Sequence, residues 1–345
     1  MHKPIRSLVV GLGHIGSRHV RLLAAHPAFE LVGGVDPDAA TWAVLPDGVP
    51  ALVDFEAAAA LQPELVCICT PNGLHTEQAR WAVGKGAHAV VEKPFGLQAD
   101  RCRTLIHEAR EAGRHLFCVL QNRYSPPARL LKHLVADGRL GRLHEVQVSC
   151  TWNRDDRYYR PGSWRGSLAL DGGPLYTQFS HFLDLLVWLV GPLEIEAARF
   201  DNDRHRTTTE FEDGGDLWLR GLDDVRASFS YSTAAWDRNF ESRIVLRGSR
   251  GVICAGGQYM DRIDYAHIEG WTLPDIEDSP PPNQYGGWQG SADNHARVFD
   301  NVAQTLRGSA RPDADGPDAL RTVELIERMY RLRPEEVMGR RTSPE

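Results

Sequence analysis

The sequence predicts an α/β chain: a doubly wound parallel sheet first, then an α+β domain built on an open, largely antiparallel sheet. Three observations carry that expectation. A short apolar strand, Ile5 to Val10, runs into Gly11-x-Gly13-x-x-Gly16 and on into a helical pattern of Ile15, His19, Leu22 and Leu23. A second strand, Phe29 to Val35, ends in Asp36, about 20 residues past that turn. Strand-like and helix-like runs then alternate until Arg123-Tyr124-Ser125-Pro126-Pro127, where the pattern changes. We therefore expect one domain over residues 1–122 and a second over 123–345.

The glycine turn has a physical use. Gly11 takes a backbone conformation that side chains resist, Gly13 lets the main chain approach a diphosphate, and Gly16 lets the helix lie against the strand. The N–H groups at the helix start, around His14 and Ile15, lack intrahelical acceptors and can hold phosphate oxygens. Asp36 can accept from both ribose hydroxyls of an adenosine and repels a 2′-phosphate, which favours NAD over NADP. A strand–turn–helix with incidental glycines is the alternative, and the acid at this spacing argues against it.

In the first domain, further strands are expected at 64–69, 87–91 and 115–120, with helices at 15–25, 74–84 and 98–112. Runs such as Leu65-Val66-Cys67-Ile68-Cys69 suit strands covered on both faces. A weak strand at 49–53 and a short helix at 57–61 fill the remaining stretch. The second domain opens with a helix at 128–137 and an alternating strand at 144–151. An apolar helix at 175–190 follows, then strands near 215–221, 225–233 and 242–247. Residues 272–287, rich in Pro, Asp and Gly, read as a long surface loop, and helices at 291–307 and 316–332 close the chain. Helices on one face of the second sheet would leave an apolar surface on the other. A homodimer or homotetramer joined there is expected.

With 42% hydrophobic and 25% charged residues, the chain has the balance of a soluble globular protein. A net charge of −7 argues against a nucleic-acid partner, and no apolar run is long enough to span a membrane. The six cysteines, at 67, 69, 102, 118, 150 and 254, form no CxxC pair and no disulfide-like spacing. They read as reduced core residues of a cytoplasmic protein. The first strand begins almost at once, which leaves no room for a signal peptide. Without an HExxH motif, no metal is expected.

Three strand ends carry chemistry at the edge where such sheets place their ligands. They are Thr70-Pro71-Asn72-Gly73-Leu74-His75, Glu92-Lys93-Pro94 and Gln121-Asn122-Arg123. Thr70, Asn72, His75, Glu92, Lys93 and Gln121 are accordingly expected to face the cofactor. Beside an oxidised nicotinamide, the Lys93 ammonium would meet like charge and some desolvation. Both lower its pKa and suit it to proton exchange with a substrate hydroxyl. A Glu–Lys strand-end pair is the structural alternative. On the helix 175–190, Thr177, Ser180, His181 and Asp184 share one stripe beside an apolar face. A polar ligand would satisfy them, with Asp184 orienting His181; internal hydrogen bonding is the alternative.

Gly11-x-Gly13-x-x-Gly16, Glu92-Lys93-Pro94, Asn122-Arg123 and Gly172-Gly173…His181-x-x-Asp184 together resemble the glucose–fructose oxidoreductase/inositol dehydrogenase (Gfo/Idh/MocA) family over nearly the whole chain. The resemblance implies a Rossmann domain that binds NAD and a second domain that holds the substrate and builds oligomer contacts. It matches the family's EKP lysine to Lys93 and its helix histidine to His181, implying that these two are catalytic. Many members carry an aspartate one turn before that histidine; here the position is Thr177.

The stretch 152–166 sets Arg154, Arg157, Arg160 and Arg165 among Tyr159, Trp164 and other aromatics, in a chain of negative net charge. Guanidinium forks take carboxylates and phosphates at two points, and aromatics stack on sugar or base. An anionic substrate larger than a monosaccharide would fit, while a solvated loop balanced by Asp155 and Asp156 is the competing reading. This loop, Gln121-Asn122-Arg123 and Gln178-x-Ser180-His181 look most like the UDP-N-acetylglucosaminuronate 3-dehydrogenase (WlbA-like) branch. The implied activity is NAD-dependent oxidation of the sugar's C3 hydroxyl, in bacterial surface polysaccharide biosynthesis. Arg123, Arg154, Arg157, Tyr159, Arg160, Trp164, Arg165, Thr177, Gln178, Ser180, His181 and Asp184 would then contact the substrate, an anionic UDP-sugar. A dehydrogenase of a free sugar or inositol is the rival. A catalytically silent NAD-binding regulator is the rival from another class.

Overall fold

A computed structural model describes residues 3–284 and 289–341, in two compact units. The first holds residues 1–120 and 295–323, the second 121–294 and 324–345. The sequence reading drew a single boundary at 122. The difference lies in residues 295–323, which pack with the first unit because their apolar and histidine side chains complete its core.

In the first unit, strands β1 (Ile5–Val10), β2 (Phe29–Val35), β3 (Ala51–Leu52), β4 (Leu65–Ile68), β5 (His88–Val91) and β6 (Leu116–Cys118) form one sheet. Its order is β3-β2-β1-β4-β5-β6, and every pairing is parallel. β4 is buried along its whole length, as its unbroken apolar run requires. Helices α1 (His14–Ala25), α2 (Phe55–Ala59), α3 (His75–Gly84) and α4 (Ala99–Glu111) connect the strands. Asp54 caps α2 by accepting from the Ala57 N–H at 2.9 Å. The unpaired edge of β6 receives residues near 315: Cys118 N–H donates to the Ala314 carbonyl at 3.1 Å.

The second unit begins with α5 (Pro126–Ala136), capped by Ser125 and with proline in its first turn. Its sheet comprises β7 (Leu143–Thr151), β8 (Leu193–Asp201), β9 (Gly214–Gly221), β10 (Arg226–Ser232), β11 (Glu241–Gly248), β12 (Gly251–Gly256) and β13 (Arg262–Ile268). The order is β13-β12-β11-β7-β10-β9-β8, antiparallel except where β10 runs parallel to β7. A hairpin of β14 (Pro282–Gln284) and β15 (Gln289–Ala292) occupies part of the expected loop 272–287, whose residues 285–287 lie outside the described ones. The last helices are α8 (His295–Leu306), in the first unit, and α9 (Gly316–Tyr330).

Two expectations are corrected. The helix at 175–190 is two helices, α6 (Pro174–Thr177) and α7 (Ser180–Val190), with a break at Gln178 and Phe179. There the Pro174 carbonyl accepts from both the Gln178 and Phe179 N–H groups, which widens the turn. The outer face of the second sheet is also more polar than expected over β9, β10, β7 and β11. α7 packs on β7, and α5 on β12 and β13. Val146, Val148, Phe229, Leu217 and Ile244 turn inward. The opposite face carries registered rows across four strands: Asp216, Ser230, Ser149, Arg243; Trp218, Ser228, Gln147, Val245; Arg220, Arg226, Glu145, Arg247. Serines and charges dominate these rows, with the exposed Trp218 among them.

Candidate functional site

The first unit places the glycine turn as the sequence requires. Gly11 has φ +83°, and a Cβ there would come 2.7 Å from the Cys69 carbonyl oxygen. A Cβ on Gly16 would stand 1.8 Å from the Gly11 oxygen, so the close helix–strand approach excludes a side chain. Beside Gly13 the space is open, and no side chain caps the start of α1. The start of α1, at His14 and Ile15, therefore turns its N–H groups toward open space in the way that suits an anion. Asp36 stands at the end of β2, with Oδ2 accepting from Leu12 N–H at 2.7 Å and Oδ1 from Asp38 N–H at 2.9 Å. It fastens the glycine turn, and each carboxylate oxygen retains a lone pair for a ribose hydroxyl. These residues fit NAD.

The neighbouring strand ends are equally ordered. Thr70 donates to Gln78 Oε1 at 2.5 Å, Asn72 is buried, and His75 has Nδ1 2.7 Å from the Pro94 oxygen and Nε2 2.9 Å from the Thr70 oxygen. Burial holds the His75 pKa below its usual value. Glu92 Oε1 lies 2.9 Å from His19 Nε2 and 3.8 Å from His295 Nε2, while Oε2 accepts from Lys93 N–H at 3.2 Å. Burial alone would raise the Glu92 pKa. The His19 hydrogen bond and the charges of His19, His295 and Lys93 outweigh it and bring the group down to about 2.

In the second unit, the expected ligand-binding side chains bond largely to one another. Arg123 makes a two-point ion pair with Asp184 at 2.8 and 2.7 Å, both side chains buried. Arg123, expected to contact substrate, thus places Nε and Nη2 on Asp184, the acid that the sequence set beside His181. Arg154 is buried, with Nε donating to Gln178 Oε1 at 2.8 Å and Nη1 to the Asn239 side chain at 3.2 Å. Its Nη2 reaches the Gln289 carbonyl at 3.3 Å, and its plane lies over Trp152 and Tyr158. Gln178 also donates to Tyr158 Oη at 2.6 Å.

The rest of the 152–166 loop divides. Arg157 is exposed and bonded to Asp155, as in the competing reading of a charge-balanced loop. Arg160 is exposed, and its carbonyl accepts from Arg341. Tyr159 is a core residue against His205 and Phe211, which leaves no face for a substrate to stack upon. Arg165 is half-buried, stacked between Trp164 and Tyr158. Ser180 and His181 are buried at the start of α7, and neither Ser180 Oγ nor the buried Oε1 of Gln121 has a hydrogen-bond partner among the described residues.

A model of the oxidoreductase family's NAD-binding Rossmann fold matches residues 5–119, and one of the GFO/IDH/MocA C-terminal domain matches 128–254. The chain belongs to the GFO/IDH/MocA oxidoreductase family. The WlbA dehydrogenase from Bordetella pertussis, crystallised with NADH and UDP-GlcNAcA, is 30% identical, with a TM-score of 0.83 over 99% of this chain and 100% of that one. The Chromobacterium violaceum WlbA dehydrogenase, in complex with the same two molecules, is 28% identical, with a TM-score of 0.85 over 96% and 94%. A putative UDP-kanosamine synthase oxidoreductase subunit of Amycolatopsis mediterranei is 32% identical over 192 residues, 54% of this chain. The chain spans about half the length of the first curated relatives it matches, 52% and 59%.

For a GFO/IDH/MocA protein, the position of Thr177 where many members have aspartate now has a local answer. Thr177 Oγ1 donates to the carboxylate of Asp171 and to its carbonyl at 2.9 Å, and Gly166 N–H donates to Asp171 Oδ2 at 2.8 Å. Burial raises the Asp171 pKa to about 6 against these hydrogen bonds. The sequence reading missed Asp171, and its place beside Gly172-Gly173 was the available signal. His19 and His295 were also missed as polar partners of Glu92; nothing local in the sequence brings those two together.

Proposed function

We propose that the protein is an NAD-dependent dehydrogenase that oxidises the C3 hydroxyl of UDP-N-acetylglucosaminuronic acid. The supporting observation is the whole-chain likeness to two dehydrogenases crystallised with NADH and that sugar nucleotide. NAD, when bound, supplies the hydride acceptor. Its holders would be the N–H groups at the start of α1 and the Asp36 carboxylate, with Thr70, Asn72 and His75 shaping the adjoining strand ends. In this reading Lys93 takes the hydroxyl proton and His181 assists. Ser180 Oγ offers a substrate hydroxyl a buried partner. Arg154 and Arg165 remain the guanidinium groups suited to the anionic parts of the substrate. The oxidised sugar would go on to amination in surface polysaccharide synthesis, and a homodimer or homotetramer remains part of the proposal.

A free sugar or inositol is the rival substrate class, favoured by the solvent exposure of Arg157 and Arg160. One measurement separates them: NADH formation with UDP-N-acetylglucosaminuronate, UDP-N-acetylglucosamine, glucuronate, glucose and myo-inositol. The charged nucleotide sugar should be used best and neutral UDP-N-acetylglucosamine second. A free hexose or inositol at the top of that order would overturn the assignment.

A further inference from the structure

We propose that Glu92, held by His19 and His295, is a positioning residue whose buried negative charge sets the proton affinity of Lys93. The inference rests on the reading of Lys93 as the proton acceptor. It starts from the fact that a carboxylate in this place is costly unless it is hydrogen-bonded. Glu92 is 5% exposed, and one of its partners is the N–H of the very residue whose side chain would do the chemistry. Its other close partner, His19 Nε2, comes from the fifth position after the start of the phosphate-facing helix α1. His295 begins α8 and stands on the same carboxylate oxygen at 3.8 Å. Two helices from opposite ends of the sequence therefore converge on the acid beside Lys93.

Among the described residues, titratable groups from several elements act on this carboxylate or feel its charge. From β4 and the residue just after it come the Cys67 and Cys69 thiols, which burial and Glu92 both push upward, so they are neutral and carry no competing charge. From α3 comes His75, whose pKa burial lowers. From α1 and α8 come His19 and His295, and from its own strand end comes Lys93. Among these, His19 makes the short hydrogen bond that lets Glu92 remain ionised. Glu92 in turn opposes the loss of the Lys93 proton, against the pull of a positively charged nicotinamide.

The test is the pH profile of kcat at saturating NAD and substrate. A base must be deprotonated to act, so Lys93 governs the acid limb. His19→Leu removes the donor, burial pushes the Glu92 carboxyl up, and its charge is lost near neutral pH. The acid limb should then move about one unit to lower pH. Glu92→Gln, nearly isosteric, should produce the same movement and covers the case in which His19→Leu does not fold. His19→Gln restores a side-chain N–H donor and should restore the wild-type limb. An unmoved limb in Glu92→Gln, with turnover lowered equally at all pH values, would mean a structural role and overturn the proposal. A Lys93→Met protein of near-normal turnover would instead show that the reading of Lys93 itself has failed.

Discussion

The groups proposed to meet ligands are built in different ways in the two units. Around the glycine turn they are backbone N–H groups and a carboxylate already tied to the turn, so the backbone path alone makes most of the site. Around α7 they are side chains, several of them bonded within the protein: Arg123 to Asp184, Arg154 to Gln178 and Asn239, Thr177 to Asp171. A site made of backbone is reported by its glycines. A site made of side chains can look, in sequence, identical to a scaffold that merely holds the site in place.

The largest expected effect tests the chemistry assigned to the first unit. Lys93→Met should lower turnover about 10²–10⁴-fold while NAD binding, followed by fluorescence titration, stays near normal. Comparable losses from Arg123→Met, without loss of stability, would show that the second unit's paired groups act directly on the substrate.

The two buried acids sharpen the contrast through pH. Glu92 is depressed to about 2, so its contribution to stability is present above the ordinary carboxylate range and is lost as pH falls toward that value. Asp171 is raised to about 6, so its favourable contribution is present below roughly pH 4 and is lost as pH rises through 6. Each is on the order of 3 kcal/mol by linkage. Denaturant midpoints across the pH range should show Glu92→Gln flattening the acid side and Asp171→Asn flattening the step between 4 and 6. The same slope in wild type and variants would contradict these assignments.

A smaller effect separates the arginines of the 152–166 loop. Arg154→Ala strands the amide oxygen of Gln178, while Asn239 keeps the Asn153 N–H, and should cost about 2–4 kcal/mol, read from chemical denaturation. Arg157→Ala, at an exposed pair with Asp155, should leave both the unfolding midpoint and the substrate KM unchanged.

Much of the first unit was legible because each element there is signalled locally. The apolar runs give buried parallel strands, the glycines give the turn, and Asp36 stands at the expected distance. What escaped was long-range: nothing near His19 announces Glu92, and nothing near His295 announces either. In the second unit the open sheet was legible as a type, but β8, β12 and β13 were not expected. β8 runs Leu-Glu-Ile-Glu-Ala-Ala-Arg-Phe-Asp, a half-exposed mixture of weak alternation. The polar stripe through Thr177, Ser180, His181 and Asp184 assumed one helix, and the break at Gln178 separates its first member from the rest. The polar rows lie on β7, β9, β10 and β11, all four of them expected, so their alternation was the available signal.

The return of residues 295–323 to the first unit has a consequence for biosynthesis. Phe299 packs its ring against His19 and Phe29, at 5.0 and 5.9 Å between centroids, and Ala314 accepts from Cys118 at the sheet edge. The growing chain can lay down all six parallel strands and still lack the wall that closes their core. That unit cannot mature on the ribosome in the order in which it is written. It must wait, with an apolar flank uncovered, while residues 121–294 of the second unit are translated.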